Sequence, residues 1–253
     1  MNILAEVMTW LTSGANWTGS SGVPIRVLEH LYYSGLALLL GLVIAVPIGV
    51  AVGHTGRGSF LVVGAANGLR ALPELGLLIL LVLAMGIGLL PVVLALSVLA
   101  IPPLLAGTYA GVRNVDRSVV DAARGMGMRE SQVLVRVELP NALPLVLGGV
   151  RSAALQVIAT AAVAAYVSYG GLGRYLIDGL RQQDYAQMAS GALLIALLAL
   201  AVEAVLALLQ RAVVSPGLRD GGRRSPTVDV ARPAPDSSPT PRTPAPELAG
   251  VER

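Results

Sequence analysis

An all-α membrane protein is the fold class this sequence predicts, and three observations predict it. Hydrophobic residues make up 55% of the 253 and charged residues only 13%, with a mean hydropathy of +0.71. A soluble domain carries about a quarter charged residues. Five apolar segments, at about 28–53, 59–86, 90–112, 141–167 and 187–212, reach the roughly 20 residues a helix needs to cross a bilayer. Arginines gather in the stretches after the first, third and fifth segments, which lie on one side if five helices cross.

The elements follow in chain order. Residues 1–27 hold a short apolar piece from Ile3 to Leu11, then a stretch rich in Ser, Gly, Asn and Thr. No Arg precedes Arg26, so the basic start of a signal peptide is missing, and an outer interfacial helix anchored by Trp10 and Trp17 is expected. The second apolar segment is interrupted by Arg70, Pro73 and Glu74. Proline bends a membrane helix without ending it, so one kinked span is expected; two short helices there would make six elements. Pro102 and Pro103 are expected to kink the third span in the same way. Residues 28–213 thus form the transmembrane domain. Residues 214–253, with eight of the sixteen prolines after Ser215, read as a disordered tail on the arginine-rich, cytoplasmic side.

The stretch 113–140 is a polar island between two spans. Its apolar residues recur at Val115, Val119, Val120, Ala123 and Met126, then at Val133, Leu134 and Val137. That is helical spacing on each side of Gly125-Met126-Gly127, whose glycines permit a tight reversal. Asn114 or Asp116 is placed to cap the first helix, and Arg129-Glu130-Ser131 to open the second. Pro140 is expected to end the loop at the mouth of span four. Arg113, Arg117, Arg124, Arg129 and Arg136 place it in the cytoplasm.

Within this island, Asp121-Ala122-Ala123, three residues, Gly127, nine residues, Val137, one residue and Leu139-Pro140 follow one another. The pattern resembles the EAA loop of binding-protein-dependent ABC importer permeases, with Asp121 where that family usually has Glu. The resemblance implies the ABC importer permease fold and a docking helix that fits a separate ATP-binding cassette ATPase subunit. It assigns the coupling contact to Asp121, Ala122, Ala123, Gly125, Gly127, Leu139 and Pro140. Asp121 is one methylene shorter than Glu, which weakens the case for a salt bridge to the ATPase. The resemblance spans residues 28–210. The runs Arg124-Gly-Met-Gly-Met128, Leu69-Arg-Ala-Leu-Pro73 and Gly170-Gly-Leu-Gly173 resemble the glycine betaine, carnitine and choline branch. Methionine permeases share the last run and the EAA spacing, and are the alternative. A second permease subunit, identical or related, and an extracytoplasmic solute-binding protein are the further implied partners.

Several chemistries are excluded. The chain has no lysine, which a phosphate-binding P-loop requires, so ATP hydrolysis belongs to a partner. With no cysteine and only His30 and His54, no metal site is expected, nor a cofactor or nucleic-acid partner. No nucleophile or acid/base spacing appears, so the chain is a transport subunit rather than an enzyme. An ion-coupled carrier would show an internal repeat, which is absent. Arg70, Pro73, Glu74 and Tyr166 are candidate translocation-pathway residues. Charges at mid-membrane cost at least ~2.5–3.5 kcal/mol, so Arg70 and Glu74 either face a pathway or neutralise each other four residues apart. An aromatic cage for a quaternary ammonium would draw on Tyr32, Tyr33, Tyr109, Tyr166 and Tyr169. Their positions suit the interfacial belt better, which leaves the cage to the binding protein. Gly170–Gly173 reads either as a plain re-entrant turn or as a flexible turn into a short helix, Arg174 to Leu180, that meets that protein.

Overall fold

The computed structural model describes residues 2–214, and among them every regular element is helical. The expectation of a disordered tail therefore lies outside the described residues, apart from Val214. Ten α-helices follow in order: α1 (Ile3–Thr12), α2 (Val23–Thr55), α3 (Ser59–Arg70), α4 (Glu74–Met85), α5 (Leu89–Arg113), α6 (Arg117–Gly125), α7 (Glu130–Val133), α8 (Leu139–Thr160), α9 (Gly173–Gln182) and α10 (Tyr185–Val213). A π-helical turn, Leu134–Glu138, joins α7 to α8, and a 3₁₀ segment, Ala161–Val167, extends α8. Four of these stretches are long and apolar enough to cross a membrane: α2, α5, residues 130–167 and α10.

The second apolar segment departs from the expected kinked span. It breaks into α3 and α4, which meet at 85°. Proline has no N–H and disfavours the helical region for the residue before it, in keeping with α3 ending at Arg70 and Pro73 standing as the N-cap of α4. The pair is either a broken fifth span or a re-entrant loop. In contrast, α5 runs unbroken through Pro102 and Pro103.

Helix α5 is the core of the domain, with α2 and α8 against it. Small residues set these contacts. Gly41, Ala45, Gly49 and Gly53 recur every fourth residue on the buried face of α2. A Cβ on Gly41, Gly49 or Gly53 would lie 2.8–2.9 Å from the side chains of Ala100, Thr108 or Val112 on α5. Where α5 meets α8, a Cβ on Gly107 would lie 2.7 Å from Gly149 Cα. In a bilayer, apolar burial does not drive helices together, and close backbone approach at small residues supplies the attraction instead. Outward-facing Leu39, Val43, Phe60, Leu83, Leu200 and Leu208 are exposed, as lipid-facing positions are.

Two features close the end of the domain near the start of α2. Trp10 packs edge-on against Tyr175 with centroids 5.1 Å apart, and Trp17 Nε1 donates to Leu11 O at 2.7 Å. The expected N-terminal helix is therefore packed onto the domain. Gly170–Gly173 is a packed corner rather than a flexible turn. A Cβ on Gly170 would collide with the Glu29 carboxylate, on Gly171 with the Tyr33 hydroxyl, and on Gly173 with Ala162 O. Gly171 N donates to Glu29 Oε2 at 2.7 Å.

Candidate functional site

The polar island folds into a helix, a reversal and the start of span four. Asp116 caps α6, its Oδ1 accepting from Ser118 N at 2.9 Å, and that bond holds its carboxyl below the usual carboxylate range. The far end of α6 is a Schellman cap. Met128 N donates to Ala123 O at 3.2 Å and Gly127 N to Arg124 O at 2.9 Å, with Gly127 left-handed at φ 82°. Met128 then packs against the small core of Val115, Val120, Ala123 and Val133. Gly127 is required by backbone conformation. Gly125 is not, since a Cβ there would meet nothing within 4 Å.

The second short helix is not separate from span four, which corrects the expectation that Pro140 ends the loop. Helix α7 continues through the π turn into α8, with Pro140 in the first turn of α8. Proline cannot donate a backbone hydrogen bond to the turn before it, and the helical run widens into the π turn just ahead of Pro140. Asn141 Nδ2 donates to Val137 O at 2.7 Å, satisfying one carbonyl of the π turn.

The motif residues divide between inside and outside. Ala123 is buried, whereas Asp121 and Ala122 are exposed, together with Val119 (46%) and Met126 (76%). Leu139 is half-buried and Pro140 exposed. Of the two alanines, only Ala122 is free to approach a partner; Ala123 holds α6 onto its own core.

A chain of charges ties α6 to two spans. Arg124 Nε and Nη2 contact Glu130 Oε1 and Oε2 at 2.9 and 3.0 Å, a bidentate pair, and Arg124 Nη1 lies 3.4 Å from Asp121 Oδ1. Hydrogen bonds from Arg124 hold the Glu130 carboxyl below the usual carboxylate range and raise the Arg124 guanidinium in turn. Glu130 Oε2 lies 3.4 Å from His54 Nε2 in the last turn of α2. His54 Nδ1 lies 2.5 Å from Glu138 Oε2 in the π turn, where Glu138 is buried. Sequence reasoning assigned no role to His54 or Glu138, and gave Glu130 only a place at the start of the second helix. The signal was Glu138, an acid flanked by Val137 and Leu139 at the start of a span, which needs a partner when buried.

The candidate pathway residues are not brought together with this site. Arg70 is exposed at the end of α3, which meets α4 at 85°, and it forms no ion pair with Glu74 among the described residues. Glu74 is half-buried, with Oε1 buried and lacking a hydrogen bond, on a helix that packs against the 3₁₀ segment carrying Tyr166. Tyr166 itself is 51% exposed. A further intramembrane pair escaped the sequence reading: Arg151 on α8 is hydrogen-bonded to Glu203 and, at 2.7 Å, to Gln210 on α10. Opposite charges in two different spans were the available signal. Among the described residues no group of His, Asp and Glu is arranged to hold a metal.

Known proteins share this sequence and fold. The carnitine transport permease protein OpuCB of Listeria monocytogenes is 34% identical over 196 residues, covering 78% of this chain and 90% of that protein. The glycine betaine/carnitine/choline transport system permease protein OpuCB of Bacillus subtilis is 33% identical, covering 85% and 96%. The osmoprotectant import permease protein OsmW of Salmonella typhimurium is 34% identical, covering 76% and 91%. Among solved structures, a chain of the inward-facing MetNI methionine ABC transporter superposes with a TM-score of 0.68 at 23% identity, covering 75% of this chain and 95% of that one. Residues 37–219 match one family throughout, and the chain belongs to the binding-protein-dependent transport system inner membrane components.

Proposed function

We propose that this chain is the permease subunit of an ATP-driven importer of small osmoprotectants such as glycine betaine, carnitine or choline. The observation that carries the solute class is the run of relatives that are 30–34% identical over most of both chains and are named as permeases for these compounds. The resemblance to methionine transporters is one of fold, at 23% identity, and does not favour methionine.

In this reading α6 docks on a separate ATPase subunit through its exposed Val119, Asp121 and Ala122 and through Met126 just beyond its end. Movement of α6 on ATP binding reaches α2 and α8 through Arg124, Glu130, His54 and Glu138. Two permease subunits enclose the path, and Arg70, Pro73, Glu74 and Tyr166 are the residues proposed to border it. An extracytoplasmic binding protein delivers the solute. The arginines at 113–136 and beyond 210 place α6 and the C-terminus in the cytoplasm, and the N-terminal segment outside.

The test is uptake of labelled glycine betaine, carnitine, choline and methionine by cells with and without the chain, before and after osmotic upshift. Loss of uptake of the quaternary ammonium solutes alone is expected. Loss of methionine uptake alone would overturn the solute class and keep the importer.

A further inference from the structure

At the end of the domain remote from α6, a cavity of about 430 Å³ opens between the start of α2 and the corner leading into α9. Arg26, Glu29, Tyr32, Tyr33, Tyr169 and Arg174 contribute to its wall. Five tyrosines near span ends were candidates for a cage; three of them converge here, and Tyr109 and Tyr166 do not line it.

The wall is rigid where it matters. Tyr33 and Tyr169 meet edge to face, with centroids 5.8 Å apart and planes at 70°. Tyr33 is fully buried, and its hydroxyl donates to Ala161 O at 3.2 Å. Tyr32, on the cavity wall, is 59% exposed, so its ring is open to a ligand. Glu29 is held by one oxygen only. Its Oε2 accepts from Gly171 N at 2.7 Å and from Arg26 Nη1 at 2.9 Å, while Oε1 accepts no hydrogen bond among the described residues. Arg174, in the first turn of α9, pairs with Asp178 at 3.0 Å and adds a second guanidinium to the wall.

Aromatic faces beside a fixed anion suit a cation that has no hydrogen bond to donate, because ring quadrupole and charge attract it without any donor. A quaternary ammonium is such a cation. A guanidinium nearby complements a carboxylate on the same solute. We infer that this cavity is a solute site on the permease itself for small quaternary ammonium compounds. Tyr32, Tyr169 and Glu29 take the ammonium, and Arg174 takes the carboxylate where the solute has one. The inference rests on the proposed osmoprotectant function and adds to it a binding step within this chain, separate from the binding protein.

The test uses the permease–ATPase complex in nanodiscs without binding protein, titrated with labelled choline and glycine betaine, beside uptake by proteoliposomes supplied with binding protein. Tyr32→Ala is expected to weaken binding of both solutes roughly three- to thirtyfold, the range of a cation over one ring face. Tyr32→Phe keeps the ring and is expected to bind like wild type. Arg174→Gln is expected to weaken glycine betaine about tenfold and to leave choline, which has no carboxylate, within about twofold. Wild-type affinity in Tyr32→Ala, equal loss of both solutes in Arg174→Gln, or transport by a wild-type complex that binds neither solute overturns the site. A wild-type complex that transports methionine and neither quaternary solute overturns the functional reading instead.

Discussion

His54 Nδ1 lies 2.5 Å from Glu138 Oε2, joining the last turn of the first span to the π turn that opens span four, 84 residues later. Glu138 is buried, and its interaction with His54 is the one polar contact seen for its side chain among the described residues. Removing the imidazole leaves that carboxyl unsatisfied. His54→Ala is expected to cost about 1–3 kcal/mol of stability, and Glu138→Gln in the same chain to restore part of the loss. Thermal unfolding of the two single variants and the double variant measures the coupling. Additive losses would show that the pair does not interact.

Asp121 is exposed, and among the described residues its side chain pairs with Arg124 alone, at 3.4 Å. Exposed ion pairs contribute little to stability, so Asp121→Ala is expected to melt within about 2 °C of wild type. Uptake and the partner's solute-stimulated ATP hydrolysis are expected to fall severalfold if the side chain serves the proposed docking face. Normal uptake by a stably inserted Asp121→Ala would remove it from that face.

Two glycines of the motif differ in kind. At Gly127 the backbone is left-handed, and an L side chain there costs about 1–2 kcal/mol. Gly127→Ala is expected to loosen the reversal after α6 and reduce coupled uptake. Gly125→Ala adds a methyl where nothing lies within 4 Å and favours the helix by about 0.5–1 kcal/mol. Measured together, the two variants separate a conformational requirement from a contact with the ATPase.

The same contrast exists inside the membrane. Gly149→Ala places a methyl 2.8 Å from Pro103 O and is expected to cost about 1–3 kcal/mol by pushing α8 off α5. Gly148→Ala, one residue away in the same helix, meets nothing within 4 Å and is expected to keep or raise stability, by up to about 0.5–1 kcal/mol. Melting of the two purified variants decides whether the α5–α8 contact is as tight as the structure has it.

Acid should release α6 late. Hydrogen bonds from Arg124 lower the Glu130 carboxyl, so its folded-state value lies below its unfolded one. The pair's contribution is therefore complete above the ordinary carboxylate range and is lost as pH falls through the depressed value. Backbone hydrogen-exchange protection of α6, corrected for intrinsic rates, is expected to be flat between about pH 5 and 8 and to drop below that window. In Glu130→Gln the drop is expected to shrink to the part that protonation of the Asp116 cap contributes.

The loop shows how far sequence reasoning reaches and where it stops. Its two helices, the Asp116 cap and the reversal at Gly127 were legible because each depends on residues within a few positions of one another. The separate roles of Ala122 and Ala123, and the continuity of α7 with span four, were not. They depend on which face meets Val115 and Val133, and on a π turn that no local spacing announces. His54, Glu130 and Arg124 converge from three elements, and only folding brings them within hydrogen-bond reach.

The sequence by itself determined the membrane class, the apolar stretches and the polar island between two of them, because hydropathy and residue spacing are properties read along the chain. Tertiary structure alone decided that the second apolar stretch turns by 85° at Pro73, since hydropathy counts length and carries no direction. It decided too that Arg151 meets Glu203, and that Tyr32, Tyr33 and Tyr169 share one cavity with Glu29. Partners of this kind are set by the packing of helices at small residues such as Gly107 and Gly149, which fixes the register of one helix against another across long stretches of chain.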